Sequence, residues 1–202
     1  MSMTIIYMVR HGETLFNIVN RVQGWCDSPL TKTGWQQAKV LGEGLSNISF
    51  DCAYASTSER AIDTLRAILQ DKSVPCHFDK RFKEFNFGMM EGKHGEEVFI
   101  GDNHYPDGFF EVGGESKEQC LIRFFEGLED IVRQCPDGNV LLVTHGGIIK
   151  EVLSVLMPEK EWKEPARILV PNCSVSKLVY KDGTYSVEEC CSMKYMKKGY
   201  GE

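Results

Sequence analysis

The 202-residue sequence lacks two features that would direct it to nucleic acid or to a membrane. It has no excess of basic residues, because 23 lysines and arginines stand against 29 aspartates and glutamates and the net charge is −6. Bulk electrostatic binding to nucleic acid or to an anionic membrane surface is therefore not expected. It also has no long apolar run and no basic stretch ahead of an apolar segment near residue 1. We expect neither a secretory signal nor a membrane-spanning helix, and a cytoplasmic location.

None of the eight cysteines belongs to a Cys-x-x-Cys pair, so the sequence does not indicate a zinc site. Most of these cysteines lie in apolar runs, where the side chain packs as a small hydrophobic group. That usage is typical of a protein in a reducing cytoplasm.

Four familiar catalytic motifs are also absent. There is no Gly-(x)4-Gly-Lys-Ser/Thr loop of the P-loop enzymes and no Cys-(x)5-Arg of the cysteine phosphatases. There is no Gly-x-Ser-x-Gly elbow of the serine hydrolases and no His-Glu-x-x-His of the zinc proteases. These absences exclude the commonest machinery for phosphate, ester and peptide chemistry.

The composition that is present, 42% hydrophobic and 26% charged, is ordinary for a globular protein. The length suits one domain with a real core, and no repeat, linker or low-complexity segment divides it. We therefore predict a single domain over residues 1–202. Candidate strands and helices alternate along the chain, which indicates an α/β fold.

Several helices and one hairpin have recognisable ends. Thr31 or Thr33 is a candidate cap for a helix to about residue 46, and Ser116 with Gln119 forms a candidate capping box for a helix to about residue 134. A helix over 147–156 should stop at Pro158. The runs 175–180 and 184–190 flank Lys-Asp-Gly, which predicts a hairpin, and the tail with Lys194, Lys197 and Lys198 is expected to be mobile.

Two candidate buried strands end in the same way. The apolar run over 5–9 leads into Arg10-His11-Gly12, and the run over 139–143 leads into Thr144, His145 and Gly146. Arginine and histidine are costly to bury unpaired, and ligands of open α/β sheets bind outside the carboxyl ends of the strands. If the two strands are parallel, both histidines lie at one edge of the sheet and form a candidate site.

Arg10-His11-Gly12-Glu13-Thr14, followed by Asn17, Arg21 and Gly24, resembles the signature of the histidine phosphatase superfamily, in its phosphoglycerate-mutase-like branch (branch 1). The resemblance covers most of the chain in the right order. It implies a three-layer α/β/α sandwich with a mostly parallel central sheet. It also implies a lid-like insertion at about 86–114, the part of the family that varies with substrate.

Arg60 follows a strand and Ser56-Thr57-Ser58-Glu59, which has the spacing of a capping box. This places Arg60 in the first turn of a helix, where free N–H groups and a partial positive charge suit an anion. The guanidinium would add a planar set of donors. The segment also resembles the second arginine motif of the family.

Glu84 lies between aromatic residues, and burial among them would raise the pKa of its carboxyl. A carboxylic acid that is protonated near neutral pH can act as a general acid. The pattern Glu-(x)3-Gly-(x)2-Glu-Gly resembles the acid-bearing segment of the family, which makes Glu84 the proton donor. Glu91 fits the same pattern, and we interpret it as a structural or turn residue.

The resemblance implies a phosphatase that acts on a small phosphorylated metabolite. His11 would attack phosphorus and form a phosphohistidine, with its other ring nitrogen fixed as a donor. The proposed catalytic residues are His11, Glu84, His145, Arg10 and Arg60, and the proposed substrate-binding residues are Asn17, Arg21, Gly24 and Gly146. No metal and no cofactor is expected. The partner would be a small phosphate ester, not nucleic acid or a membrane, and the protein would be a monomer or a homodimer.

Two other functions stay open. A cofactor-dependent phosphoglycerate mutase would need extra cations after the acid segment, but residues 93–114 offer only Lys93, His94 and His104 against five carboxylates. That balance disfavours a doubly charged substrate. A non-catalytic module that binds phosphorylated ligands is the third possibility, and the intact nucleophile and acid argue against it.

The aromatic residues of the predicted lid have two readings: Phe99, Phe109 and Phe110 could select an apolar or planar leaving group, or could only pack the lid on the core. The segment 101–104 also weakly resembles a metallophosphatase motif, but it has no partner motif elsewhere, and we interpret it as a solvated loop.

Overall fold

A central mixed sheet organises the computed structural model, which describes residues 3–70, 72–99, 105–157 and 169–196. Within these ranges the sheet has six strands, in the spatial order β3-β2-β4-β1-β5-β6. The strands are β1 (Met3–Arg10), β2 (Cys52–Ala55), β3 (Cys76–Phe78), β4 (Asn139–Thr144), β5 (Val175–Lys181) and β6 (Thr184–Ser192). The first four of these are mutually parallel where they pair, and β5 and β6 are antiparallel additions.

Helices cover both faces of the sheet, which confirms the three-layer α/β/α sandwich. They are α1 (Leu15–Ile18), α2 (Lys32–Gly44), α3 (Glu59–Leu69), α4 (Gly95–Val98), α5 (Lys117–Gln134) and α6 (Gly146–Leu156). Alternate residues of the buried strands point to opposite faces. In β1, Ile6 and Met8 pack in one apolar cluster with α5 and α6, whereas Tyr7 and Val9 pack in the other with α2 and α3.

The parallel pairing of β1 and β4 brings the two predicted histidine segments together. Arg10 is the register partner of Thr144, so the residues that follow them, His11 and His145, leave neighbouring strands at the same edge. β2 pairs with β4 on its other side and leads through residues 56–58 into α3, which carries Arg60 to that edge as well. The prediction of a shared edge is therefore confirmed.

Two of the predicted helix caps are confirmed and one is wrong. Thr31 caps α2 by accepting the N–H of Gly34, and Ser116 forms a reciprocal capping box with Gln119 at α5. The predicted box from Ser56 to Glu59 is not formed, since α3 begins after Ser58 without a side-chain cap. The N–H of Glu59 instead donates to the carboxylate of Asp27, which comes from a loop 32 residues away.

The two ends of the predicted hairpin are also confirmed. β5 and β6 flank Asp182 and Gly183, which both adopt positive φ, the backbone conformation that a tight two-residue hairpin turn requires. The predicted stop at Pro158, the segment 101–104 and the tail lysines Lys197 and Lys198 lie outside the described residues.

Cys52 and Cys135 form a disulfide, so the interpretation that the cysteines act only as small hydrophobic groups is wrong for this pair. Cys52 begins β2 and Cys135 follows α5, and both pack in the apolar cluster on the α5 and α6 side of the sheet. Their 83-residue separation hid this proximity in the sequence. The other six cysteines are free. Among the described residues, no helix is long and apolar enough to cross a bilayer.

Candidate active site

A cavity of about 310 Å³ lies at the carboxyl ends of β1 and β4. It brings together six of the nine predicted site residues, which are Arg10, His11, Asn17, Arg21, Glu84 and Gly146. The other three, Arg60, His145 and Gly24, do not line it. Eight lining residues were not among the predicted site residues: Val22, Gln23, Phe87, Phe99, Gly147, Lys150, Leu169 and Val170.

His11 is buried at the base of the cavity with one ring nitrogen already committed. Its Nδ1 lies 2.8 Å from the carbonyl oxygen of Gly12, which can only accept a hydrogen bond. Nδ1 therefore carries the proton, and the lone pair is on Nε2. A side chain at Gly12 would come within 2.6 Å of the Gly34 carbonyl oxygen, so glycine allows α2 to pack directly under this turn. The arrangement presents an unprotonated imidazole nitrogen as a nucleophile.

The surroundings of His11 keep its ring neutral. Burial lowers its pKa well below the ordinary value, and the positive charges of Arg60 and Arg10 act in the same direction. The ring of His145 lies edge-on at 5.3 Å between centroids. At neutral pH the nucleophilic form is therefore the populated form.

The carboxyl group of Glu84 is bound at the first turn of α6. One oxygen accepts the N–H groups of Phe85 and Ile148 at 3.0 and 2.8 Å, and the other accepts the N–H of Gly147 at 2.7 Å. Burial raises the pKa of Glu84 above its ordinary value, although these three hydrogen bonds favour the ionised form and oppose the shift. The predicted direction of the pKa change is confirmed, and its main cause is desolvation.

The backbone of Glu84 is held from the opposite side. Its carbonyl oxygen accepts hydrogen bonds from Arg123 at 2.9 Å and from the indole nitrogen of Trp25 at 3.1 Å. Arg123 also donates to the carbonyls of Arg81 and Lys83. The acid is thus fixed by both side chain and backbone, as a catalytic group requires.

Arg10 has a donor that no described residue uses. One terminal nitrogen donates to the carbonyl of Val170 at 2.6 Å, whereas Nε is buried and unpartnered among the described residues. A Cβ at Gly146 would lie 3.2 Å from that Nε, so the glycine leaves the space beside it open. An anion in the cavity would satisfy this buried donor.

Arg60 and His145 are not free to donate into the cavity in this structure, which differs from the role that we predicted. The five N–H groups of Arg60 face the carbonyls of Gln23, Gly24 and Cys26, the carboxylate of Asp27, and Nδ1 of His145. Because Nδ1 of His145 accepts from Arg60, Nε2 carries the proton and donates to Ser56 at 2.8 Å. Direct contact with a phosphoryl group would require these hydrogen bonds to be exchanged.

Arg60 nevertheless acts on the site electrostatically. Arg60 is fully buried, and its charge lowers the pKa of His145, as burial does to a larger extent. The same charge lowers the pKa of His11. Arg60 therefore helps to keep both rings neutral without lining the cavity.

Asn17 presents an amide nitrogen to the cavity because its oxygen is fully used. Oδ1 accepts the N–H of Thr14 at 3.1 Å and the side-chain amide of Asn172 at 3.3 Å. Asn172 was missed in the sequence, where it follows a proline between two weakly patterned segments and carries no local signal.

Arg21 and Gly24 have structural partners near the cavity. Arg21 lines the rim and donates to the carbonyl of Gly92. A Cβ at Gly24 would come within 2.1 Å of the carbonyl of Phe85, so the glycine allows close packing. The Gly24 N–H donates to Glu91, whose carboxylate also accepts the N–H groups of Trp25, Cys26 and Phe87. Glu91 is structural, as we interpreted it.

The aromatic residues of the 86–114 segment divide between the two predicted readings. Phe109 is buried and lies 4.6 Å from Phe87 between ring centroids, which is packing against the core. Phe99 is 58% exposed and lines the cavity with Phe87. Phe110 is exposed and does not line the cavity.

No group of three or more His, Cys, Asp or Glu side chains within the described ranges is placed to hold a metal ion.

Known proteins resemble this chain over most of its length. The chain is 34% identical over 200 residues to a 2,3-bisphosphoglycerate-dependent phosphoglycerate mutase 2 of Gloeobacter violaceus, covering 91% of this chain and 90% of that protein. A phosphoglycerate mutase structure from Bacillus anthracis is 31% identical, with a TM-score of 0.83 and coverage of 96% and 95%. A phosphoserine phosphatase from Entamoeba histolytica, in complex with 3-phosphoglyceric acid, is 26% identical, with a TM-score of 0.80 and coverage of 95% and 98%.

The relatives thus include both mutases and phosphatases, all with the same fold. The sequence model of one family matches residues 6–192, which includes both histidine segments and Glu84. The chain belongs to the histidine phosphatase superfamily, branch 1, a superfamily of enzymes.

Proposed function

We propose that the protein is a metal-independent phosphatase that hydrolyses a small phosphomonoester through a phosphohistidine on His11. The observation that carries the proposal is the pairing of two groups in one cavity. His11 offers an unprotonated Nε2, and Glu84 is a buried carboxyl whose pKa is raised by desolvation. A nucleophile beside a general acid is what phosphoryl transfer with proton donation requires.

The first step would move the phosphoryl group to the protein. Nε2 of His11 attacks phosphorus, the bond from phosphorus to the ester oxygen breaks, and that oxygen takes the proton of Glu84. Arg10 and the Asn17 amide would stabilise the negative charge on the equatorial oxygens, since both face the cavity.

The second step would return the protein to its starting state. The Glu84 carboxylate takes a proton from a water molecule, whose oxygen attacks phosphorus and breaks the N–P bond. Inorganic phosphate leaves, His11 is again neutral and Glu84 is again protonated. The protein's own groups account for every proton, so the scheme includes no metal.

A phosphoglycerate mutase is the second candidate, and the names of several relatives favour it. In a mutase the phosphohistidine would transfer its phosphoryl group to a second hydroxyl instead of water. The segment 93–114 supplies few cations for a doubly charged substrate, which favours the phosphatase, whereas Lys150 on α6 lines the cavity and would favour such a substrate. The acceptor, water or a hydroxyl, is the point on which the two proposals differ.

The test is hydrolysis of p-nitrophenyl phosphate at mildly acidic pH with excess EDTA, with the wild type beside His11→Ala. Turnover that survives EDTA and is lost in the variant supports the phosphatase. A coupled assay then compares conversion of 3-phosphoglycerate to 2-phosphoglycerate with phosphate release. Isomerisation faster than release would make the mutase the better proposal.

A further inference from the structure

The loop that enters β5 is tied to the end of β1 at the nucleophile. The N–H of Cys173 donates to the carbonyl of Arg10 at 3.0 Å, and the N–H of Arg10 donates to the carbonyl of Ser174. Cys173 has φ of 58°, a left-handed conformation that a non-glycine residue adopts at a cost. Such a conformation persists only when its surroundings hold it. This loop carries Asn172.

The side-chain amide of Asn172 links two parts of the candidate active site. Nδ2 donates to the backbone carbonyl of His11 at 2.9 Å and to Oδ1 of Asn17 at 3.3 Å. Both partners can only accept, so the amide orientation of Asn172 is determined. Asn172 itself does not line the cavity.

Asn172 and the backbone N–H of Thr14 together fix the orientation of the Asn17 amide. Oδ1 of Asn17 accepts from Asn172 and from the N–H of Thr14, and both of these groups are donors. The NH₂ group of Asn17 must therefore face the other way, and Asn17 lines the cavity beside His11. Reversing that amide would place an oxygen where a phosphoryl oxygen would bind.

We infer that Asn172 is a positioning residue for the phosphoryl-binding site, and the inference rests on the proposed function. It acts through Asn17, by keeping that amide's donor toward the phosphoryl group, and it holds the backbone of the nucleophile. It does not touch the substrate.

The test uses two variants. Asn172→Asp preserves the shape of the side chain and replaces its N–H donor by an acceptor, whereas Asn172→Ala removes the donor and the acceptor together. We expect Asn172→Asp to lower kcat/KM for p-nitrophenyl phosphate by roughly 10- to 100-fold, which is less than the ~10²- to 10³-fold that loss of a donor to the transition state typically causes, because Asn172 acts through Asn17. Asn172→Ala should have a smaller effect, because the N–H of Thr14 still holds Oδ1 of Asn17 and no new acceptor opposes that orientation. Asn47→Asp, at an exposed position in the turn after α2, is the matched control for the added charge.

A double-mutant cycle separates this role from a structural one. In an Asn17→Ala background, Asn172→Asp should change kcat/KM by less than about twofold, because the amide through which it acts is gone. An equal loss in both backgrounds would overturn the inference, as would an Asn172→Asp protein within about twofold of the wild type. Thermal unfolding of each variant identifies losses that come from the fold.

Binding of inorganic phosphate, measured by calorimetry, tests the inference without turnover. We expect Asn172→Asp to weaken binding by a similar factor and Asn47→Asp to leave it unchanged. If the wild type binds phosphate but hydrolyses no ester, the proposed function fails while this inference still stands or falls on the variants. If the wild type binds no phosphate, or Asn172→Asp binds it as well as the wild type, the inference is wrong.

Discussion

Glu84 shows how one residue reconciles two opposing influences. Burial raises the pKa of its carboxyl, while backbone N–H groups from the first turn of α6 stabilise the ionised form. The same group can therefore be an acid in one step and a base in the next, provided that it titrates near the working pH.

This balance leads to an expected pH dependence. The first step needs protonated Glu84, so kcat/KM of the wild type should fall as pH rises through its raised pKa. Glu84→Gln cannot titrate, and it should lose this alkaline limb and about 10²- to 10⁴-fold in rate on an alkyl phosphate. Rate profiles over pH, with Glu97→Gln as an exposed control, check this expectation. An unchanged limb in Glu84→Gln would assign the titration to another group.

Lys150 lines the cavity, although no local pattern in the sequence indicated this. It lies on α6, four residues after Gly146 and thus on the same face of the helix, and both line the cavity. No described residue forms an ion pair with it. The count of charges in residues 93–114 did not include this cation, because Lys150 lies on α6, outside that segment.

We therefore expect Lys150 to favour esters with a second negative charge. The comparison is 3-phosphoglycerate against glycerol 3-phosphate, which lacks the carboxylate. Lys150→Met should lower kcat/KM for the first relative to the second by about tenfold, a difference of about 1.4 kcal/mol, and Lys150→Arg should restore it. Lys39→Met, at an exposed position on α2, is the control. An equal loss of kcat/KM for both esters would show that Lys150 does not interact with the second charge.

At the scale of elements, the loop between β1 and α2 is built around two carboxylates. Glu91 accepts four backbone N–H groups, three of them from residues 24–26. Asp27 ties the loop to the start of α3 by accepting hydrogen bonds from the N–H of Glu59 and from the guanidinium of Arg60. The predicted capping box at Ser56 failed for this reason, because local spacing does not reveal a cap that comes from a distant loop.

Removal of Glu91 should loosen this loop. Glu91→Ala leaves several N–H groups without an acceptor, and we expect it to lower the free energy of unfolding by about 2–4 kcal/mol. Since the loop carries the carbonyls that hold Arg60, kcat/KM should fall as well. Urea unfolding and steady-state kinetics measure both effects, beside Glu111→Ala at an exposed position. A variant as stable as the control would mean that water replaces these contacts.

At the scale of the whole molecule, the fold could be predicted from the sequence where the chain repeats a local pattern. The two strand–His-Gly units give parallel neighbours, and alternation of buried residues gives the three layers. The contacts of Asn172, Asp27 and Arg60 were not predictable, because each joins segments between 32 and 161 residues apart through single side chains. The prediction of one domain over residues 1–202 stays a prediction.

The free energy of unfolding should depend on pH because of the buried histidines of the site. Folding lowers the pKa of His11 and His145, so the unfolded chain takes up protons below about pH 6.5 that the folded protein does not. As pH falls from about 6.5 toward the pKa of the folded protein, each histidine lowers the free energy of unfolding by about 1.4 kcal/mol per pH unit. Glu84, whose folded pKa is raised, acts in the opposite direction.

Comparison with variants isolates the histidine contribution. Between pH 7 and 5.5 the wild type should lose more free energy of unfolding than His11→Asn or His145→Asn, by about 1 kcal/mol in each case. His94→Asn, at an exposed site, should follow the wild type. Identical pH dependence in all four proteins would show that neither buried ring resists protonation.

The most direct test of the account is to trap the phosphoryl group on the protein. Nitrophenolate leaves without needing a proton, so Glu84→Gln should complete the first step with p-nitrophenyl phosphate and stall before the second. We expect a burst of about one nitrophenolate per active site. After an alkaline quench, mass spectrometry should find one phosphoryl group on His11. A phosphoryl group on another residue, or steady turnover with no labelled protein, would contradict the proposed mechanism.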